Sequence, residues 1–292
     1  GFQNIKLARP DIAVITNMAA AHLAPGKGRG YVGERKANIF EGMAENGWAV
    51  IYRETEYFNY LVGRARRQGL NVLTYGSSED ASFQLERYDP RSLSLQVRMP
   101  DGKKLEYSLR AGGLHTALNS LACIAVRKIL DYEIEPFLPS LGLFEPAAGR
   151  GKIHEVLYKG QSITVVDESY NANPLSMKMA ITSMQADPSA ARRVLVLGDM
   201  RELGEEEVRY HRYLAVHIRE LQPDCVLLCG NLMRHLWECL DSDTGLHSKR
   251  SWYEDARSLA DSIDEWLMDG DRLLIKGSNA MGLGVLVKKL VG

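Results

Sequence analysis

Residues 165–177 read VVDESYNANPLSM, a short apolar run followed by an acidic pair, several amide side chains and a proline. Such an apolar run is typical of a strand that is buried in a parallel sheet. Pro174 suits the first turn of a following helix, where its missing N–H donor costs nothing. The stretch therefore predicts a strand that delivers Asp167, Glu168 and the amides to its carboxyl end, where α/β sheets bind ligands. An Asx-rich turn that only caps the helix is the alternative.

The alternation of strands and helices continues around this stretch throughout the second half of the chain. Short apolar runs predict further strands, with helices between them. This order predicts a Rossmann-like, doubly wound C-terminal α/β domain. The predicted strands are residues 153–158, 162–166, 194–197, 225–228 and 273–276, and a helix begins at Pro174.

The first half of the chain combines two patterns. Strands alternate with helices up to residue 75, which predicts a partial central ATPase-type domain with a parallel sheet. Three segments of alternating apolar and polar residues surround the turn Pro100-Asp101-Gly102 and predict an antiparallel meander beside that sheet. The predicted strands are 11–17, 48–52, 71–75, 82–88, 92–99 and 104–109, and the predicted helices are 32–45, 56–68, 114–130 and 134–141.

The chain of 292 residues is long enough for two domains with buried cores. A segment rich in proline, glycine and alanine at residues 144–151 separates the two halves. We therefore predict a central domain over residues 1–147 and a C-terminal domain over residues 148–292.

Composition excludes several classes of partner. The formal net charge is -1 and basic runs are short, so we expect neither a nucleic-acid partner nor a polybasic membrane anchor. No apolar stretch has the length of a membrane span. The four cysteines lack zinc-ribbon or CxxC spacing and are predicted to be thiols in a reducing, cytoplasmic compartment.

Several motifs carry a resemblance to a known family. Residues 167–174 resemble DDSYNANP, and residues 196–204 resemble VLGDMLELG, which are long and specific motifs of the Mur ligases that add D-alanyl-D-alanine. The order of weaker segments also agrees. The strand end with His22 is similar to TNIGPAHL, and Lys36 falls where the segment AKGEIF carries its lysine. Further along the chain, GLHTALN at 113–119 is similar to GxHNxxN, Gly149-Arg150 is similar to PGR, and Lys276-Gly277-Ser278 is similar to KGS.

The resemblance implies an ATP-dependent acid–amino-acid ligase of peptidoglycan precursor synthesis, monomeric and cytoplasmic. Its substrates would be UDP-MurNAc-tripeptide and D-Ala-D-Ala, and its cofactors ATP and Mg²⁺. An unactivated carboxylate is a poor electrophile, so the tripeptide carboxyl would first become an acyl phosphate. Magnesium and positioned donors would stabilise the negative charge that moves in each step.

The resemblance also assigns a catalytic group made of His22, carbamylated Lys36 and Asn171. His22 and Lys36 would hold or orient magnesium, since a carbamate, unlike an ammonium, is an anionic oxygen ligand. Taken alone, a histidine after a strand is more often a hydrogen-bonded structural residue, and a lysine in the charged run 34–36 is a solvated one.

The remaining assigned residues would contact the nucleotide or border the cleft. His115 and Asn119 are four residues apart and therefore share one face of a helix. In the family, side chains on this face contact the adenine of ATP. Arg150 would reach phosphate or ribose, although a surface arginine is an equal alternative. Asp199 is functional or caps a helix. The other cofactor-binding residues assigned in this way are Asp167, Tyr170, Asn173 and Lys276.

The central half departs from the family pattern. No GxxxxGK[ST] phosphate loop occurs in the sequence, and residues 52–55, YRET, stand where the family often has Asn-Ala-Asp-Asp. We therefore expect a central domain without its P-loop portion, and a chain that is inactive alone. Two alternatives stay open. One is a non-catalytic nucleotide- or precursor-binding protein derived from a Mur ligase, and the other is an amide ligase of the folylpolyglutamate type.

Overall fold

A computed structural model describes residues 7–16, 30–110, 112–185 and 191–292. The chain divides into two compact units, of which the first ends at Glu145 and the second begins at Pro146. The predicted domain boundary between residues 147 and 148 stays a prediction. No helix in the described part of the chain is long and apolar enough to cross a membrane.

The first unit contains one six-stranded sheet in which the strands follow chain order. The first four strands are parallel, and the last three form an antiparallel meander. The predicted sheet and meander are therefore confirmed, and the parallel pairing of the third and fourth strands makes them one continuous sheet. The strands are β1 (Ile12–Ile15), β2 (Trp48–Tyr52), β3 (Asn71–Gly76), β4 (Phe83–Asp89), β5 (Ser94–Arg98) and β6 (Lys104–Ser108).

Helices cover both faces of this sheet. The helices are α1 (Gly30–Ala37), α2 (Phe58–Arg67), α3 (Leu114–Ile129) and α4 (Leu138–Leu141). The apolar side of α3 packs on the strands in one core, and α2 packs on the opposite face in another. Two predicted helices were wrong in extent. The predicted helix 32–45 ends at Ala37 and continues as a 3-10 turn, Asn38–Gly42, because Asn and Gly are poor helix formers.

The predicted helix 134–141 is likewise split, into a 3-10 turn, Glu135–Phe137, and the single turn of α4. Pro136 and Pro139 lie in these turns and lack the N–H donor that a continuous helix would use.

The second unit is a doubly wound α/β domain, as predicted. Its sheet has the order β11-β10-β9-β12-β8-β7, and only β7 is antiparallel to its neighbour. The strands are β7 (Lys152–Tyr158), β8 (Gln161–Glu168), β9 (Arg192–Gly198), β10 (Cys225–Cys229), β11 (Lys249–Tyr253) and β12 (Asp271–Lys276). The helices are α5 (Pro174–Ser183), α6 (Glu207–Leu221), α7 (Met233–Asp241), α8 (Ala256–Ser262) and α9 (Gly284–Val291).

Alternate residues of the central strands feed two separate cores. Leu195 and Leu197 contribute to the core with α5, α6 and α7, whereas Val194 and Val196 contribute to the core with α8 and α9. This burial on both faces explains the continuous apolar run of β9. Sequence reasoning missed β11, an edge strand that begins with two basic residues and is only half-buried, so its apolar signal is weak.

Candidate functional site

The carboxyl end of β8 holds a cluster of hydrogen-bonded polar groups. Asp167 is buried, and its two carboxylate oxygens accept hydrogen bonds from Gly149 N–H (2.7 Å), Ser169 N–H (3.1 Å) and Ser169 Oγ–H (2.6 Å). Its backbone carbonyl accepts from Gly151 N–H (2.7 Å). Asp167 thus fastens residues 149–151 to the end of the strand. The predicted contact of Asp167 with the nucleotide stays a prediction, and three hydrogen bonds already use most of the acceptor capacity of this carboxylate.

Two exposed side chains project from this cluster. The guanidinium of Arg150 lies over the Tyr170 ring, 4.2 Å from its centroid, and the Tyr170 N–H donates to the Gly149 carbonyl (3.1 Å). Gly149 has a φ of 76°, and a Cβ there would lie 2.7 Å from Tyr170 Cβ. Glycine is therefore required at this position, and it brings Arg150 and Tyr170 together as one stacked, solvent-facing pair.

Lys276 ends β12 beside this cluster. Its side chain is only 3% exposed, and Nζ donates to Glu168 Oε2 (2.8 Å) and to the Asn171 carbonyl (2.9 Å). Strands β8 and β12 are neighbours, and Lys276 is in register with Glu168. The structure therefore brings Asp167, Tyr170, Asn171 and Lys276 to one edge of the sheet, where the predicted ligand site of the second unit would lie.

Asn173 acts as a helix cap. Its Oδ1 accepts from Ser176 N–H (2.9 Å), while its own N–H donates to Ser176 Oγ (3.0 Å), which forms a capping box at the start of α5. Asn173 therefore caps α5, and Pro174 occupies the first helical position as predicted. The assignment of Asn173 to nucleotide binding stays a prediction. Asn171, in contrast, is exposed between Tyr170 and the cap.

Asp199 follows β9 and is fully buried. Its Oδ1 accepts from Met233 N–H (2.8 Å) at the first residue of α7, so it caps a helix far along the chain and not the segment that follows it. Its Oδ2 makes no hydrogen bond within the described residues and lies 3.5 Å from Arg201 Nη2. Gly230, with a φ of 109°, leaves room for this carboxylate.

Sequence reasoning missed His211, which organises the same turn. His211 is fully buried on α6, and its Nε2 accepts from Met200 N–H (2.9 Å), so Nδ1 carries the proton and donates to the Glu207 carbonyl (2.6 Å). Burial lowers the pKa of His211. The only available signal was a histidine on the apolar side of a predicted helix, and this signal does not identify its partner.

In the first unit, His115 and Asn119 lie on one exposed face of α3, as the four-residue spacing predicts. The His115 ring lies close to Gly113, where a Cβ would meet its Cε1 at 2.8 Å. Gly113 has a φ of 103°, and its N–H donates a hydrogen bond to the phenol oxygen of Tyr88, Oη (2.9 Å). This bond fixes the start of the helix. Their contact with adenine stays a prediction.

The two predicted metal ligands, His22 and Lys36, belong to the first half of the chain. His22 lies outside the described residues, and Lys36 is exposed in the last turn of α1. Among residues 7–16, 30–110, 112–185 and 191–292, no group of three or more His, Cys, Asp or Glu side chains could hold a metal ion. The roles of His22 and carbamylated Lys36 in holding magnesium stay predictions.

The divergent segment at 52–55 serves the first unit's own structure. Arg53 forms a bidentate pair with Asp80 (2.7 to 3.0 Å) and lies over the Phe58 ring at 4.2 Å. Glu54 Oε1 accepts from the N–H groups of Ser77 (2.6 Å) and Ser78 (2.7 Å). Arg53 and Glu54 thus have protein partners at the positions where the family often has alanine and aspartate.

Comparison with known proteins identifies the family. The family model for the Mur ligase middle domain matches residues 3–127, and the model for the Mur ligase glutamate ligase domain matches residues 154–279. The chain belongs to the Mur ligase family. The resemblance that the motifs predicted is thereby confirmed.

Curated relatives and solved structures agree with this membership. A UDP-N-acetylmuramoyl-tripeptide–D-alanyl-D-alanine ligase of Rickettsia prowazekii (strain Madrid E) is 26% identical over 97% of this chain and 62% of that protein. The protein of the same name from Bacillus subtilis (strain 168) is 27% identical over 98% of this chain and 60% of its own length. This Mur ligase chain thus spans about three-fifths of the length of these relatives.

Two crystal structures show the same fold. MurF from Acinetobacter baumannii superposes with a TM-score of 0.83 and 22% identity, over 99% of this chain and 61% of that one. MurF from Thermotoga maritima in complex with ADP superposes with a TM-score of 0.78 and 23% identity, over 99% and 63%. The mixed α/β fold of this Mur ligase chain is therefore that of the corresponding part of MurF.

Proposed function

We propose that the chain is part of an ATP-dependent ligase that joins D-alanyl-D-alanine to UDP-MurNAc-tripeptide in peptidoglycan precursor synthesis. Family membership and the names of the relatives support this activity. The structural observation that carries it is the exposed Arg150 guanidinium, stacked on Tyr170 and fixed through Gly149 to the buried Asp167. Such a preorganised cation at the carboxyl end of a parallel sheet suits a nucleotide phosphate or ribose.

The proposed reaction has two steps. The terminal carboxylate of the tripeptide takes the γ-phosphoryl group of ATP, which releases ADP and gives an acyl phosphate. The amine of D-Ala-D-Ala then attacks the acyl carbon, loses a proton and expels phosphate. In this scheme Arg150 stabilises the negative charge of the phosphoryl group, His115 and Asn119 contact adenine, and Asn171 borders the acceptor. Magnesium, held with the help of His22 and carbamylated Lys36, would supply charge neutralisation.

The ADP complex of the Thermotoga relative supports use of ATP by this chain. We propose that the chain alone does not catalyse ligation, because its sequence has no P-loop motif and its relatives are longer. We also propose a cytoplasmic location, which the four free thiols favour, and a monomeric state.

The test is phosphate release by the full-length protein that contains this sequence. We expect release to require ATP, UDP-MurNAc-tripeptide and D-Ala-D-Ala together. Arg150→Met should raise the KM for ATP roughly tenfold, the usual effect of losing a charge-assisted contact. Arg209→Met is the matched control, because Arg209 is an exposed arginine on α6 that pairs only with the nearby Glu206 among the described contacts.

Two results would contradict the proposal in different ways. Release with L-glutamate as acceptor, and none with D-Ala-D-Ala, would support the folylpolyglutamate alternative. Nucleotide binding without any phosphate release would support the non-catalytic binding protein. That second candidate is favoured by one observation, the use of Arg53 and Glu54 in structural contacts within the first unit.

A further inference from the structure

A buried ion pair joins two strand ends beneath the exposed residues of the candidate site. Lys276 on β12 and Glu168 on β8 are 2.8 Å apart, with side chains 3% and 19% exposed. The same ammonium also holds the Asn171 carbonyl at 2.9 Å. Lys276 therefore forms an ion pair with the neighbouring strand and, at the same time, a hydrogen bond with the loop at residues 169–173. We call this segment the Asn171 loop.

We propose that Lys276 is a positioning residue that fixes the Asn171 loop and makes no contact with the nucleotide. This inference rests on the proposed function, since it concerns how the same site is built. It differs from the expectation that Lys276 itself binds an anion.

Burial and charge argue for the positioning role. Glu168 and the Asn171 carbonyl occupy two of the three N–H donors of Nζ, and the side chain is only 3% exposed, so a phosphate has little access to Nζ unless it displaces one of these partners. Displacing Glu168 would leave a mostly buried carboxylate without its partner, which is strongly unfavourable. The exposed Arg150, in contrast, can meet an anion without breaking an ion pair.

The position of the Asn171 loop also determines where the exposed pair lies. Tyr170 precedes Asn171, donates its N–H to Gly149 (3.1 Å) and supports the Arg150 guanidinium. Asn173, at the other end of the loop, is held by its capping box with Ser176. Between these two ends, Lys276 donates a charge-assisted hydrogen bond to the Asn171 carbonyl. Removing it should displace Tyr170 and Arg150 while the cap keeps α5 in place.

The first experiment measures amide hydrogen exchange in this chain without any ligand. We expect Lys276→Met to speed exchange of the Tyr170 amide at least tenfold, with the amides of Val196 and Leu227 in the central strands unchanged. Lys178→Met, at an exposed lysine on α5, is the matched control and should change nothing. Unchanged exchange at Tyr170 in Lys276→Met would overturn the proposal. If that variant does not fold, Glu168→Gln gives the same readout.

The second experiment compares ADP binding by calorimetry in the full-length protein. A positioning role predicts that Lys276→Met and Glu168→Gln both weaken ADP binding, by about tenfold, because each releases the loop. A direct contact predicts opposite signs, since removing the competing carboxylate in Glu168→Gln would leave ADP binding as tight as before or tighter. That outcome would overturn the proposal.

The two experiments separate this inference from the proposed function. If the wild-type protein neither binds ADP nor releases phosphate, the ligase proposal fails, while the exchange result still decides whether Lys276 fixes the Asn171 loop. If ligation is observed and Lys276→Met leaves Tyr170 exchange unchanged, only the positioning role fails.

Discussion

Asp167 and Asp199 occupy equivalent places in the second unit but are used differently. Each lies at the carboxyl end of a parallel strand and is almost fully buried. Asp167 accepts three hydrogen bonds, all from residues of its own loop and of the 149–151 segment. Within the part of the chain that the structure describes, the Asp199 side chain accepts one hydrogen bond, from the start of α7, and its Oδ2 lies near the more distant Arg201. An aspartate at the end of a strand can therefore have different structural roles, because the hydrogen-bond donors around it determine which segments it holds.

The largest expected effect is at Asp167. Asp167→Ala leaves the N–H groups of Gly149 and Ser169 and the Ser169 hydroxyl without an acceptor, in a buried position. At 1 to 3 kcal/mol for each unsatisfied group, we expect a loss of roughly 4 kcal/mol in the free energy of unfolding. Urea unfolding of the full chain, followed by tryptophan fluorescence, measures it, because three of the four tryptophans lie in the second unit.

Asp199→Ala is the matched comparison. It removes the acceptor of a single N–H group, that of Met233, together with a weak ion pair, so the expected loss is about 2 kcal/mol. Equal losses for the two variants would show that the number of donors does not distinguish these carboxylates.

A second prediction concerns the glycine that closes the Asp167 cluster. Gly149→Ala places a Cβ 2.7 Å from Tyr170 Cβ and 2.9 Å from Tyr170 N, at a φ of 76°. Steric overlap and backbone strain together should cost roughly 3 kcal/mol in unfolding free energy and separate Arg150 from Tyr170. The same urea titration gives the first quantity, and exchange of the Tyr170 amide reports the second.

Gly151→Ala separates strain from overlap. Gly151 has a φ of 93°, but a Cβ there meets no heavy atom within 4 Å. Its expected cost is only about 1 kcal/mol, from backbone strain alone. A Gly151 variant as unstable as the Gly149 variant would mean that the close approach of Tyr170 contributes nothing.

The same comparison explains what the sequence could predict. The β8 run, Pro174 and the cap at Asn173 depend on neighbours within a few residues, so local patterns were sufficient to predict the strand and helix there. Asp199 bonds to Met233, 34 residues away, and Lys276 bonds to Glu168, 108 residues away. No periodicity carries these distant pairings. They follow only from the strand order, in which β12 lies beside β8, and β10 lies beside β9.

A further prediction concerns the pH dependence of stability and rests on His211, which lies beside Asp199 through Met200. Burial lowers the pKa of His211 in the folded protein, so the folded state keeps it neutral while an unfolded histidine gains a proton below about pH 6.5. The unfolded state then binds more protons than the folded state, and stability must fall as pH decreases below that value. The slope from this residue is at most about 1.4 kcal/mol per pH unit.

His211→Gln removes the titration while keeping a side-chain oxygen that can accept from Met200 N–H. Urea unfolding between pH 7.5 and 5 should therefore show a smaller loss of stability in His211→Gln than in the wild type, and the difference isolates this residue from the other six histidines. His247→Gln, at an exposed histidine, should follow the wild-type curve. Parallel curves for His211→Gln and the wild type would contradict this prediction. They would mean that the folded protein accepts a protonated His211, and that the hydrogen bond from Met200 N–H to this side chain contributes little to stability.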